Sequence, residues 1–194
     1  MALLKVKKTE GFVAPSDGWH EVTIASVERG MYPAGTKTKY IDIRFEEFPE
    51  QVKLRVHQAF SKEDNSEWKV LSVFRYANAG ISEILVTEGG EEGQMDIDDD
   101  PANLIGCKLN VYVYRNAKGY TDISENVAPA AFSNDWESYS KSEVEEKKKI
   151  IYESQIKSYI SDKRFKENED SWDSLSSNGA PVKEKETVEE DNWS

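Results

Sequence analysis

The fold is most readily inferred from two consecutive segments, Lys39-Tyr-Ile-Asp-Ile-Arg-Phe45 and Gln51-Val-Lys-Leu-Arg-Val-His-Gln-Ala-Phe60. Both segments alternate between apolar and polar side chains, which is the period of a β-strand. Pro49 separates them at the position of a turn. The pattern therefore predicts a hairpin with one aliphatic face. The other face carries an aromatic ring and mostly cationic side chains: Tyr40, Asp42, Arg44, Lys53, Arg55 and His57.

Three further segments on either side of this hairpin alternate in the same way: 20–29, 108–115 and 120–124. Between them, apolar residues recur at helical spacing from Glu67 to Ala79, with Ser66 as the predicted N-cap and Gly80 at the end. Residues 84–87 fit either a strand or a connection. The pattern predicts a mainly β fold, a small antiparallel barrel or curled sheet with one helix inserted after the third strand.

A second helical pattern follows from Ser140, where isolated isoleucines stand in a background of Lys and Glu. It predicts one C-terminal helix over about 142–165, which either packs on the barrel or mediates association between copies of the chain. Beyond Lys166 the chain is rich in Ser, Asn, Gly and acid, which is typical of disorder. The predicted organisation is a β domain over 1–135, a helix within 136–168 and a disordered acidic tail over 169–194.

The acidity of the chain is unevenly distributed. The formal net charge is −12, but the acids concentrate in the tail and in the stretch 88–100, which is predicted to be an acidic loop. The charge of the whole chain therefore says little about the field at one face of the β domain.

The single cysteine, Cys107, excludes an intramolecular disulfide and a Cys-based zinc site. No segment approaches the roughly 20 apolar residues that cross a bilayer, and the N-terminal sequence lacks the apolar run of a signal peptide. We expect a soluble cytoplasmic protein that contacts no membrane.

Two short motifs suggest chemistry at first sight. Asp96-x-Asp98-x-Asp100 has the first ligand spacings of an EF-hand loop, but Pro101 stands where that loop needs glycine. Glu67-Trp68-Lys69 has the Glu-x-Lys spacing of metal-dependent nucleases, although the tripeptide is common and lies at a helix start. No phosphate-binding loop, nucleophile elbow or zinc-protease motif is present. We therefore expect no enzyme, no cofactor and no bound metal.

Nucleic-acid binding has broader support. Tyrosines can stack on any base, and Lys and Arg neutralise phosphates without reading sequence. The residues predicted to stack or hold the backbone are Lys37, Lys39, Tyr40, Arg44, Lys53, Arg55, His57, Tyr112, Tyr114, Arg115 and Tyr120. The alternative is structural, because tyrosines favour strands and can cover a helix or the second side of a barrel. The strand pattern supports both interpretations equally.

The C-terminal tip favours the first interpretation. A polar linker leads to Glu189, Glu190 and Asp191, and then to Trp193 next to the end of the sequence. One large aromatic behind several acids can anchor in a partner's pocket while the acids pair with its basic rim.

The order of strand, basic hairpin, helix, hairpin and acidic tail resembles the single-stranded DNA-binding proteins of bacteriophages. The resemblance is carried by 18–27, 38–45 and 104–113, and it extends over roughly residues 10–130 and the tail tip. It implies an OB-fold core, a role in phage DNA replication or recombination in the host cytoplasm, and a tail that recruits replication or recombination proteins.

Two hypotheses follow. In the first, the chain is a non-enzymatic, sequence-independent single-stranded DNA-binding protein whose affinity falls steeply with salt. In the second, it is an acidic interaction protein, such as a DNA mimic or an inhibitor of a host nucleic-acid enzyme, whose binding surface is the 88–100 loop and the tail.

Overall fold

One curled antiparallel sheet forms the centre of the protein. The computed structural model describes residues 14–32, 38–63, 66–86, 93–134 and 137–161. The sheet strands are β1 (Gly18–Met31), β2 (Lys39–Phe45), β3 (Lys53–His57), β6 (Lys108–Arg115), β7 (Thr121–Ile123) and β8 (Ala128–Pro129). Their order is β3-β2-β1-β6-β7, with β8 beside β6. The edge strands β3 and β7 approach each other, but within the described residues no ladder joins them. The result is a curled, half-closed antiparallel barrel, which confirms the mainly β fold class that the strand pattern predicts.

A β-bulge lets β1 serve both halves of the sheet. Its first half pairs with β6 from Gly18 to Thr23, and its second half pairs with β2. The register shifts between Ile24 and Ser26, so the inward-facing side chains change from Val22 and Ile24 to Val27, which lies opposite Ile43. A bulge of this kind increases the local twist, and this curls the sheet around its core.

The helix α1 (Lys69–Tyr76) follows the third strand, as predicted, and buries Val70, Val73 and Phe74, although it is shorter than the predicted helix over 67–79. Its start differs from the prediction in one detail, because Ser66 does not cap it. The Glu67 carboxylate instead accepts the backbone N–H groups of Lys69, Val70 and Leu71 at 2.9–3.0 Å. An acidic acceptor at this end of a helix satisfies unpaired donors and complements the helix dipole.

The predicted acidic loop is partly a hairpin. The strands β4 (Ile81–Val86) and β5 (Gly93–Ile97) pair antiparallel, so the prediction of a loop is wrong for residues 93–97. The hairpin is anchored at Gly80, which has φ +66°, and a Cβ there would lie 2.2 Å from the carbonyl oxygen of Asp98. A 3₁₀ turn (Pro101–Leu104) then leads into β6.

A C-terminal helix packs on the outer side of β6 and β8. It follows the short pair β9 (Phe132–Ser133) and β10 (Ser138–Tyr139), runs as α2 (Lys141–Ile151), passes through a π-helical turn (Tyr152–Ile156) and continues to residue 161. Ser140 and Glu143 form a capping box at its start. Ile151, Ile156 and Ile160 share a second buried cluster with Tyr114 and Ala128, so this helix covers the sheet. The predicted disordered tail, 169–194, lies outside the described residues.

Candidate nucleic-acid interface

Tyr40 is positioned by the absence of a side chain on the neighbouring strand. It lies opposite Gly30 in the β1–β2 ladder. A Cβ on Gly30 would fall 2.3–2.5 Å from the Cζ, Cε2 and OH atoms of Tyr40. The ring therefore lies flat across the backbone of β1, and only glycine permits this approach.

The guanidinium of Arg55 lies over the same ring, with its carbon 3.9 Å from the Tyr40 centroid. Asp42 holds it there: Oδ1 accepts from Nε at 2.7 Å and Oδ2 from Nη2 at 2.8 Å. Lys53 also donates to Asp42 Oδ2, at 2.6 Å. The hydrogen bonds from Arg55, helped by Lys53, lower the pKa of Asp42 to about 2 although burial acts to raise it. Asp42 is thus a buried anion beneath two cations.

A chain of hydrogen bonds continues from Arg55 across the open edge of the barrel. Arg55 donates to the hydroxyl of Tyr32, and this hydroxyl lies 3.3 Å from His57 Nε2. Tyr32 also stacks on His57 with an interplanar angle of 9°. His57 Nδ1 contacts Glu125 at 3.1 Å, and Lys69 contacts the other oxygen of Glu125 at 2.6 Å. These side chains connect the end of β3 with the segment after β7.

The carboxylate of Glu125 joins His57 to Lys69, with one oxygen facing each of them. Burial alone would raise its pKa, but the hydrogen bond and charge of Lys69, together with His57, lower the pKa below its ordinary value. The carboxylate is therefore an anion that ties two donors from different elements together.

We call Tyr32, Tyr40, Arg55 and His57 the stacking platform. Tyr32 is 38 % exposed, whereas Tyr40 lies between the backbone at Gly30 and the Arg55 guanidinium. The accessible stacking surface is therefore Tyr32 with its partner His57, and Arg55, with Tyr40 as a support. Flat rings and guanidinium groups held on strands are suited to stacking against unpaired bases.

The charge of this face is lower than the strand pattern predicts. Arg44 pairs with Glu28 at 2.9 Å, Lys53 and Arg55 share Asp42, and Lys69 pairs with Glu125. Four cations therefore face three carboxylates. Lys39 is exposed at the edge of this face, beside a hollow of about 130 Å³ that Tyr40 and Gln58 help to line.

The outer face of β6 is covered. Tyr114 is 2 % exposed, and its hydroxyl donates to Asp122 at 3.0 Å. Burial raises the pKa of Tyr114 far above its ordinary value. Tyr112 packs against Trp19 and against Tyr152 of the C-terminal helix, with centroids 5.4 and 5.1 Å away. Tyr114 therefore presents no ring face to a base, and Tyr112 is half-buried, because the C-terminal helix packs on the side of the sheet predicted to bind DNA.

The remaining predicted residues lie elsewhere. Arg115 donates to the Pro15 carbonyl at 3.0 Å and contacts Asp17, so it ties the entering chain to the sheet. Tyr120 is 68 % exposed in the β6–β7 turn, not on the β2–β3 face. Lys37, Glu189, Glu190, Asp191 and Trp193 lie outside the described residues.

The two suggestive motifs have structural roles. The Glu67 carboxylate accepts four backbone N–H groups, three from α1 and one from Ala59. Asp98 and Asp100 accept the backbone N–H groups of Asp100 and Ala102, which form the turn before Leu104. Within the described ranges, no group of three or more His, Cys, Asp and Glu residues could hold a metal ion.

The sequence pattern did not place three side chains at this interface: Tyr32, Glu125 and Lys69, of which Lys69 was considered only within the Glu-x-Lys motif. Tyr32 precedes Pro33 in the stretch interpreted as a loop, and an aromatic ring between a strand and a proline was an available signal. No pattern in the sequence indicated that Glu125 and Lys69 lie at this interface, because only the curl of the sheet brings them to His57.

No protein-family model and no curated protein matches this chain. In the part of the chain that the structure describes, no helix has both the length and the apolar character to cross a membrane.

Proposed function

We propose that this protein binds single-stranded DNA without sequence preference and has no catalytic activity. The observation that carries the proposal is the stacking platform on the outer face of β2 and β3. In OB-folds this face and the adjoining loops bind oligonucleotides. Tyr32, which leads into the β1–β2 loop, lies on the platform.

Binding would rest mainly on stacking. Tyr32 with His57, and the Arg55 guanidinium, offer flat surfaces to successive bases. Each stacked base contributes about 1–3 kcal/mol to the free energy of binding. Lys39, Arg44 and Lys53 would hold phosphates at the edges. Stacking and phosphate contacts do not read base edges, so the binding would not depend on sequence.

The ion pairs change the expected salt dependence. Each phosphate neutralised on a single strand contributes about −0.7 to the slope of log affinity against log salt. Counting Lys39, two cations of this face are in excess over its carboxylates. If only these two release counterions, raising salt from about 50 to about 200 mM weakens binding about sevenfold, whereas five unpaired cations would give about 130-fold. The ion pairs thus favour a shallow dependence over the steep one suggested by the strand pattern.

The wider role follows from the resemblance. In phage DNA replication or recombination, the protein would cover single strands in the host cytoplasm. Its tail, with Glu189, Glu190, Asp191 and Trp193, would recruit replication or recombination proteins.

The test is a titration of intrinsic Tyr and Trp fluorescence with oligo-dT of about 16 nucleotides, the upper end of the site size of one OB-fold. Duplex DNA of matched length is the control. We expect saturable binding of the single strand, a shallow salt dependence and little binding of the duplex. Failure to bind oligo-dT at low salt would reject the proposal.

The alternative, an acidic interaction protein, is supported by the exposed Asp98, Asp99 and Asp100 before β6. Arg55→Lys separates the two functions, because lysine keeps the charge but loses the planar fork and its stacking. We expect this variant to weaken oligo-dT binding. An acidic interaction protein would bind its partner through the other surface and would be insensitive to the change.

A further inference from the structure

A groove lies beside the stacking platform, between α1 and the C-terminal helix. Its volume is about 220 Å³, and Trp68, Lys69, Tyr76, Glu125, Asn126 and Gln155 contribute to its walls. We call it the Trp68 groove. None of these residues belongs to the predicted DNA-binding set.

Trp68 is held on a rigid backbone. The backbone N–H of Trp68 donates to the Ala59 carbonyl at 3.0 Å, and the backbone carbonyl of Trp68 accepts the Ser72 N–H at 3.0 Å. The Glu67 carboxylate holds the first turn of α1 next to it. Nevertheless the Trp68 residue is 47 % exposed. Single exposed apolar side chains are ordinary in proteins, so the exposure of Trp68 does not by itself indicate a binding site.

The size and lining of the groove limit its occupant. It is smaller than the roughly 300–1,000 Å³ of sites for cofactors and drug-sized ligands, which favours one planar ring. Val127 and Ile151 are apolar residues that line the groove together with Trp68, while Asn126 and Gln155 are lining residues whose side chains are amides. Each amide has an acceptor and two donors, so together they can pair with the polar edge of any nucleobase.

The groove is continuous with the platform through one carboxylate. Glu125 lines the groove and contacts His57 of the platform at 3.1 Å, and it also contacts Lys69 of the groove at 2.6 Å. A strand lying on Tyr32 and His57 would therefore reach the groove directly past Glu125.

We infer that the Trp68 groove is a second base-binding site for the same single strand. It holds one base on the indole while neighbouring nucleotides occupy the stacking platform. The inference rests on the function proposed above and adds to it a path for the DNA from the β2–β3 face to the gap between the two helices.

The test compares the dissociation constants of oligo-dT of increasing length, from about 4 to about 16 nucleotides, for the wild type and Trp68→Ala. For the shortest oligonucleotides we expect equal affinity. For those long enough to reach the groove, the variant should bind about 5- to 150-fold more weakly, which is the loss of one stacked base. Trp68→Phe keeps a ring and should recover most of the lost affinity.

The control for folding is the urea midpoint of each variant. Tyr32→Ala should weaken binding at every length, since it changes the platform. The inference is overturned if Trp68→Ala matches the wild type at all lengths, or if it loses the same factor at the shortest length. It is also overturned if a peptide of residues 184–194 binds the wild type and not Trp68→Ala while DNA binding is unchanged, because the groove would then hold an aromatic side chain of the tail.

The proposed function fails separately from the inference. If the wild type binds oligo-dT of no length, both are rejected. If it binds and only the length-dependent loss is missing, the proposed function stands and the second site alone is rejected.

Discussion

The two halves of the outer sheet face are built on the same alternation, but only one is open. On β2 and β3, Tyr40, Arg55 and His57 lie on the accessible side with Tyr32 beside them. On β6, Tyr112 and Tyr114 occupy the equivalent side and lie under the C-terminal helix. Alternation therefore assigns a side chain to one side of a sheet, while a separate element decides whether that side meets solvent.

The ion pairs separate the two halves in a second way. The open half keeps its cations close to carboxylates on the same face, whereas the covered half buries isoleucines against tyrosines. The ion pairs of the open half can be replaced by contacts with a ligand, whereas the side chains of the covered half stay buried in the folded protein. Substitutions in each half should therefore have different consequences for stability and for DNA binding.

Ile156→Ala should remove a side chain that is 0 % exposed and shares a cluster with Tyr114 and Ala128. We expect the free energy of unfolding to fall by about 2–5 kcal/mol, because a cavity replaces a packed isoleucine. Urea unfolding followed by circular dichroism measures it. Ile150→Ala is the matched control: Ile150 is 54 % exposed, and its loss should stay within about 0.5 kcal/mol. Equal effects would contradict the covering role of the helix.

Asp42 should stabilise the open half in a pH-dependent manner. Its pKa is about 2 in the folded protein against an ordinary value of 3.8, so the folded state binds its proton less readily than the unfolded state. The contribution, about 2 kcal/mol, is complete above pH ~4 and is lost as the pH falls from ~4 to ~2. Urea unfolding at several pH values should show a smaller acid loss for Asp42→Asn than for the wild type. Parallel curves would disprove the contribution.

Tyr40→Ala and Tyr112→Ala compare the two halves in DNA binding. Tyr40 supports the Arg55 guanidinium, so its removal should weaken oligo-dT binding by about 1–3 kcal/mol. Tyr112 packs on Tyr152, so its removal should lower stability and leave the affinity of the folded protein unchanged. Fluorescence titration at a temperature where both variants are folded measures this. A larger loss for Tyr112→Ala would show that the DNA lies on the other half of the sheet.

The salt dependence should respond to the carboxylates of the open half. Asp42→Asn removes the carboxylate that Lys53 and Arg55 share, so the number of cations in excess rises by one and the slope of log affinity against log salt should steepen by about 0.7. Glu28→Gln releases Arg44 alone and should steepen it by about 0.7. If neither slope changes, Arg44, Lys53 and Arg55 do not contact phosphates of the bound DNA.

Much of the fold could be predicted because the core obeys simple periodicity. Ile41, Ile43, Leu54 and Val56 are buried as their alternation indicates, and α1 follows the third strand. The bulge between Ile24 and Ser26 was not predicted as such, because one extra residue leaves no signal except the shift of inward positions to Val27. Glu67 was considered as a nuclease motif, and its role as a helix cap became visible only from its bonds to backbone N–H groups.

The candidate site was less predictable than the fold. The sequence placed Asp42 on the same face as Arg55 and His57, but it did not show that Asp42 pairs with the cations there, and it missed Tyr32, which joins Arg55 to His57. Lys53 and Arg55 were interpreted as phosphate ligands, whereas in the structure both form ion pairs with Asp42. Pairing between charges depends on distances across strands, and these depend on the register.

Local periodicity was enough to predict five strands of the main sheet (β1, β2, β3, β6 and β7), the two helices and the side of the sheet on which the residues of those strands lie, because burial repeats with the period of each element. The accessibility of each tyrosine, the neutralisation of the cations and the approach of Glu125 to His57 and Lys69 could be seen only in the folded chain. Those outcomes depend on contacts between segments far apart in the chain, such as the C-terminal helix on β6 and the approach of β3 to β7, and no local pattern encodes them.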